Sequence, residues 1–146
     1  MNQIGNQMVV EFDSVSKNES FARIVVAAFV ARLNPTMDEI SDIKTAVSEA
    51  VTNSIIHGYE NKCGRIRIET KIVDDIVTVI VTDFGIGITD IKKAMEPMYT
   101  SKPELERSGM GFAFMEAFMD ELFVESTPSM GTVVTMRKMI GKEMEL

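Results

Sequence analysis

The sequence predicts an α+β domain: a two-layer α/β sandwich with a mixed, mostly antiparallel sheet and helices on one face. Three observations carry that prediction. Two alternating segments, Arg65 to Val73 and Ile76 to Asp83, flank Asp74-Asp75 and read as a hairpin. Two longer segments with helical periodicity precede them, each opened by a hydroxyl residue with a glutamate three positions on. One more helix and two short strands close the chain. Strand runs with helices inserted between them suit helices packed on one face of a sheet. A chain of 146 residues suits one domain, spanning 1–146.

Each element has a local reason. Gln7 to Asp13 partly alternates and reads as a strand. Ser16 with Glu19 forms the pattern of a capping box, so a helix is expected from near Lys17 to before Pro35. Thr36 with Glu39 repeats the pattern and opens a long helix ending near Gly58, where glycine suits a left-handed C-cap. After the hairpin, "FGIGITD" is a glycine-rich loop and "DIKKAM" a short helix. Glu96 to Gly111 is polar, holds two prolines and reads as a lid loop, about 95–110. "FAFMEAFMDEL" is a helix; "FVEST" and "GTVVTMRK" are closing strands around "PSMG".

Composition narrows the function classes. Apolar residues at 45% and charged residues at 25% are globular values. A net charge of −7 argues against nucleic acid as the main partner, because phosphate binding wants a basic surface. Cys63 is the only cysteine, which leaves no intrachain disulfide and suits a reducing, cytoplasmic setting. The longest apolar run, Ile24 to Ala31, is too short to span a bilayer, and no membrane partner is expected. The twelve methionines read as core filler ahead of a Met-lined binding surface. The first helix is apolar nearly all round, through Phe21, Ile24, Val25 and Ala28 on one side and Val26, Phe29, Val30 and Leu33 on another. That pattern means deep burial or a partner surface.

On the second helix Ile40, Ile43, Val47 and Val51 make the core stripe, with Ser54 at its margin. Glu49 and Asn53 point away from that stripe. They are either solvated polar residues or a general base and an oxygen ligand for Mg²⁺, with small Ala46 and Ala50 leaving room beside them. "DFGIG" follows an apolar strand, so Asp83, Gly85 and Gly87 make either a plain turn or a pocket where a flat ring meets the backbone. Protein kinases of the usual fold also carry "DFG", but their other signatures are missing here. "RSGMGF" opens a helix with Gly109 and Gly111, which make either a plain turn or an anion site at the helix N-terminus. His57 reads as packing rather than catalysis.

Taken in order, Glu49-x3-Asn53, Asp83-x-Gly85-x-Gly87, Gly109-x-Gly111 and Gly131-Thr132 resemble the boxes of the GHKL ATP-binding superfamily, which includes gyrase, histidine kinases and MutL. The resemblance implies ATP and Mg²⁺ as ligands. Asn53 would ligate Mg²⁺, Asp83 would bind the adenine amino group, and Gly85 and Gly87 would border the base. Gly109 and Gly111 would cradle the phosphates, and Thr132 would support the adenine site. "KNESFAR" (Lys17 to Arg23), "IKTAVSEAVTNSIIHGY" and "TSKPELERSGMGF" resemble, more narrowly, the anti-sigma serine kinases of endospore-forming bacteria.

That narrower likeness implies a homodimer that holds a sporulation sigma factor inactive and phosphorylates a serine of an anti-anti-sigma factor. Glu49 would be the catalytic base, and Glu19 and Arg23 fall in the segment matching partner contacts. Thr100, Ser101, Lys102 and Arg107 lie in the lid loop; Lys102 and Arg107 either contact the β- and γ-phosphates or are simply solvated. A general-stress partner-switching kinase, a GHKL ATPase without kinase activity and a nucleotide-free binding module are the rival readings.

Overall fold

The computed structural model describes residues 5–96 and 111–141. Strand β1 (Asn6–Asp13) leads into α1 (Lys17–Val30), a 3-10 turn (Ala31–Leu33) and α2 (Met37–Asn53). A π-helical turn, Ser54–Gly58, extends α2 and is followed by β2 (Arg65–Val73) and β3 (Ile76–Asp83). The chain ends through α3 (Ile91–Ala94), α4 (Gly111–Phe118), β4 (Glu121–Thr127) and β5 (Gly131–Met139).

The five strands form one sheet in the order β1-β2-β3-β5-β4. All four described pairings are antiparallel, where the sequence left room for a mixed sheet. The β2–β3 hairpin has the bounds its alternation predicts, and Asp74 takes a left-handed φ of 53° at the turn.

Alternation decides the layering. Ile66, Ile68, Thr70 and Ile72 of β2 and Val77, Val79 and Val81 of β3 are buried on one face. Helix α2 packs on that face through Ile43, Ala46, Val47, Ala50 and Val51, with α1 and α4 beside it. Ala22, Val26 and Val30 of α1 are fully buried, whereas Phe21 and Ile24 are half exposed or more. The all-round apolar character of α1 therefore splits into one packed stripe and one open stripe. Methionine divides the same way: Met115, Met119 and Met136 fill the core, while Met37 and Met130 are exposed.

The two helix starts differ. Thr36 is extended (φ −67°, ψ 165°), so its hydroxyl accepts from the Glu39 N–H at 3.1 Å. The Glu39 carboxylate accepts from the Thr36 N–H at 2.8 Å and, through its other oxygen, from the Gly141 N–H at 2.8 Å. Burial works to raise the Glu39 pKa, but the Thr36 and Gly141 hydrogen bonds and the Lys138 charge outweigh it and hold it low.

Ser16 does not form the expected box. It is already helical (φ −54°, ψ −33°), which removes its side chain from the cap geometry. The Glu19 N–H bonds the Ser16 carbonyl at 3.2 Å instead, and the Asn18 amide ties the helix start to the Asp13 carbonyl at 2.8 Å.

Gly58 is not a left-handed cap either. Positive φ appears just beyond it, at Glu60 and Asn61. Gly58 sits instead where space is tight: a Cβ there would lie 3.0 Å from the Asp83 carboxylate.

Candidate functional site at the end of the second helix

The site forms where the last turn of α2, the loop after β3 and the start of β5 meet. Strand β3 delivers Asp83 to the edge of the core, 4% exposed. Its register partner on β5 is Thr132. The Ser54 hydroxyl donates to Asp83 Oδ2 at 2.9 Å, and the Gly85 N–H donates to Oδ1 at 3.0 Å. Burial pushes the Asp83 pKa up, opposed by the Gly85, Ser54 and Thr132 hydrogen bonds. The result is a shielded, oriented carboxylate whose remaining lone pairs can accept from a ligand N–H.

Three glycines let backbone pack directly on backbone here. A Cβ on Gly85 would lie 2.0 Å from the Gly58 carbonyl oxygen, and one on Gly131 would lie 2.0 Å from the Asp83 carbonyl oxygen. Gly87 has φ +77° and sits against the Thr127 carbonyl. The Ile86 N–H donates to the Gly58 carbonyl at 2.9 Å, and the Ser129 N–H to the Ile86 carbonyl at 2.7 Å, so three loops are stitched together. The Ser126 hydroxyl adds a bond from the Ile88 N–H and lies 2.8 Å from the Thr132 hydroxyl. Tyr59 fixes the outer edge: its hydroxyl bonds the Arg65 carbonyl and accepts from the Phe84 N–H at 2.8 Å.

These walls enclose a cavity of about 440 Å³, within the range of small-molecule sites. Ile86, Ile88, Phe112 and Val134 give it apolar surface; Asn53, His57, Asp83, Asp90 and Thr132 give it polar groups. Gly111, at the start of α4, faces Asn53: a Cβ there would come within 3.0 Å of the Asn53 amide.

The structure brings Asn53, Asp83, Gly87, Gly111 and Thr132 into one cavity wall, with Gly85 directly behind Asp83. Glu49 lies elsewhere. It lines an adjacent shallow groove between α1 and α2, together with Glu19, Arg23 and Lys44. Arg23 and Glu19 approach within 3.9 Å of each other across one helical turn. Thr100, Ser101, Lys102, Arg107 and Gly109 lie outside the described residues.

Sequence reasoning missed Ser54 as a site residue, having read it as the margin of the core stripe. The signal was available: it directly follows Asn53, and a strand-end carboxylate inside a core needs a donor. His57, set aside for catalysis, does line the pocket wall. Among the described residues no cluster of three or more histidine, cysteine or acidic side chains could hold a metal alone. The Asn53 amide oxygen is nonetheless the kind of ligand Mg²⁺ accepts alongside phosphates and water.

A family model described as the histidine kinase-like ATPase domain matches residues 16–138, which places the fold in that ATPase class. The anti-sigma F factor of Clostridium botulinum (strain Eklund 17B / Type B) is 66% identical over 134 residues, covering 91% of this chain and 94% of the relative. That of Bacillus subtilis (strain 168) is 53% identical over 142 residues, covering 97% of each. With such likeness along nearly its whole length, the chain belongs to the anti-sigma F factor family.

Two solved structures share the fold at low identity. A chain with the RsbU and RsbW domains of a Mycobacterium tuberculosis protein matches with TM-score 0.66 at 20% identity, over 92% of this chain and 32% of that one. The catalytic domain of the histidine kinase ThkA matches with TM-score 0.55 at 18% identity, over 91% and 97%. No helix among the described residues is long and apolar enough to cross a membrane.

Proposed function

We propose that this chain is an Mg²⁺·ATP-dependent protein serine kinase that also binds and inhibits a sporulation sigma factor, and that its phosphoacceptor is a serine of the anti-anti-sigma antagonist. One observation carries the nucleotide part: a buried carboxylate, Asp83, oriented by Ser54 and Gly85 at the floor of a cavity of nucleotide size. The chain would act as a single domain in the cytoplasm and pair as a homodimer, with no nucleic acid contacted directly.

The adenine amino group would donate to Asp83, beside Thr132 and against the backbone of Gly85 and Gly87. The phosphates would run toward Asn53 and the start of α4, where Gly109, Gly111 and the helix N-terminus favour negative charge. Thr100, Lys102 and Arg107, which lie outside the described residues, would contribute phosphate contacts. Asn53 would hold Mg²⁺, which supplies charge neutralisation across the phosphates.

Glu49 lies one turn before Asn53, about 6 Å along the helix axis. It opens to the groove rather than the cavity, so it would meet the hydroxyl of an incoming protein rather than the nucleotide. Its carboxylate would take the serine proton as the hydroxyl attacks the γ-phosphorus and ADP leaves. Glu19 and Arg23 line the same groove and would contact the partner.

The test is radiolabel transfer from γ-labelled ATP to a purified anti-anti-sigma protein. Glu49→Ala should keep Mg·ATP binding and slow transfer at least about 100-fold, the usual loss of a general base. Asn53→Ala should weaken Mg·ATP binding itself. Transfer at the parent rate by Glu49→Ala rules out the base assignment. Hydrolysis without transfer favours an ATPase instead.

A further inference from the structure

We infer that Ser54 is a positioning residue for base recognition: its hydroxyl sets the orientation of Asp83 and keeps it an acceptor, and so contributes to selecting a 6-aminopurine. This rests on the reading that Asp83 receives the adenine amino group. Ser54 occupies the first position of the π-helical turn and is 5% exposed. Its hydroxyl is 2.9 Å from Asp83 Oδ2, while Oδ1 is held from the other side by the Gly85 N–H at 3.0 Å. Behind the carboxylate stands Gly58, with no side chain to reach it. The carboxylate is thus gripped at both oxygens, and its plane is fixed before any ligand arrives.

Orientation is half of the effect; proton occupancy is the other half. A buried carboxyl tends to take up a proton, because burial disfavours the charged form. A protonated Asp83 would present an O–H to an amino group that also needs to donate. The Ser54 donor works against that protonation, in the same sense as the Gly85 N–H. An alanine at position 54 would keep the helix, remove one donor from Oδ2 and leave the burial unchanged. The other titratable groups lining the cavity among the described residues are His57, on the same turn, and Asp90, at the start of α3. Both remain in the alanine variant.

The experiment compares Mg·ATP with the Mg complex of a purine nucleoside triphosphate that lacks the 6-amino group. Equilibrium binding of both is measured for the parent, Ser54→Ala and Asp83→Asn over a range of pH. Ser54→Ala should lose about tenfold in ATP affinity, the scale of one hydrogen bond to a charged group, and less than about twofold for the analogue. The acidic limb of its ATP-binding profile should move to higher pH, because the loss of a donor raises the Asp83 pKa. Asp83→Asn should lose ATP affinity far more than analogue affinity. Equal weakening of both nucleotides by Ser54→Ala, or no weakening of either, overturns the role of Ser54. Failure of Asp83→Asn to distinguish the two nucleotides overturns the adenine reading beneath it.

Discussion

The two ends of α2 obey different rules. At its start, Thr36 and Glu39 satisfy each other's backbone N–H groups, and every bond is local except the reach of Glu39 to Gly141. At its end the helix loosens into a π-turn whose residues answer to β3 and the loop after it: Ser54 to Asp83, Gly58 to Asp83 and Gly85. The first end is built for stability and the second for a pocket. π-helical turns gather at functional sites because they break local regularity to aim side chains.

The largest test of that contrast is Gly85→Ala. Its Cβ would drive into the Gly58 carbonyl, backbone against backbone, and cannot be relieved by a rotamer change. A loss of about 3 kcal/mol in urea unfolding is expected, together with loss of nucleotide binding. Asp83→Asn should separate the two quantities. The Asp83 pKa is raised on folding, so its contribution is fully present below its unfolded value and is lost as pH rises through the folded one. Burial disfavours the charged carboxylate, so Asp83 costs stability wherever it is ionised. The Asn variant should therefore be at least as stable as the parent at pH 7 and lose this advantage in acid, while ATP binding collapses. Thermal unfolding at pH 4 and pH 7 reads the sign.

The remaining two tests lie at the helix starts. Thr36→Ala should cost about 1 kcal/mol, the usual worth of an N-cap, with ATP affinity unchanged. Ser16→Ala should stay within about 0.5 kcal/mol of the parent, because its side chain makes no cap bond. If Ser16→Ala costs as much as Thr36→Ala, the distinction drawn between the two helix starts is wrong.

The same division explains what could be read from sequence. Alternation fixed β2 and β3 to the residue, because one face of each is buried and the period of two admits no slip. The Thr36 box was legible because its bonds are local. The Ser16 segment has the same hydroxyl-x-x-Glu pattern, yet Ser16 is already helical and the helix start is tied to Asp13 through Asn18 instead. Gly58 looked like a cap by its place in the chain; its reason is a carboxylate 25 residues on, which no local pattern records. Asn53, Asp83, Gly87, Gly111 and Thr132 could be grouped from sequence because their order and spacing follow the resemblance, and the structure gathers them around one cavity. Ser54 was passed over because a hydroxyl at the margin of an apolar stripe has no period of its own.

The meeting of Gly58, Gly85 and Gly131 around Asp83 also bears on how this pocket can change over evolutionary time. The shell behind the pocket is main chain from three separate segments, and a side chain at Gly85 or Gly131 would add atoms where none fit. Divergence in pocket size or ligand enters more readily at the lining side chains of Ile86, Ile88 and Phe112, which can be exchanged one at a time.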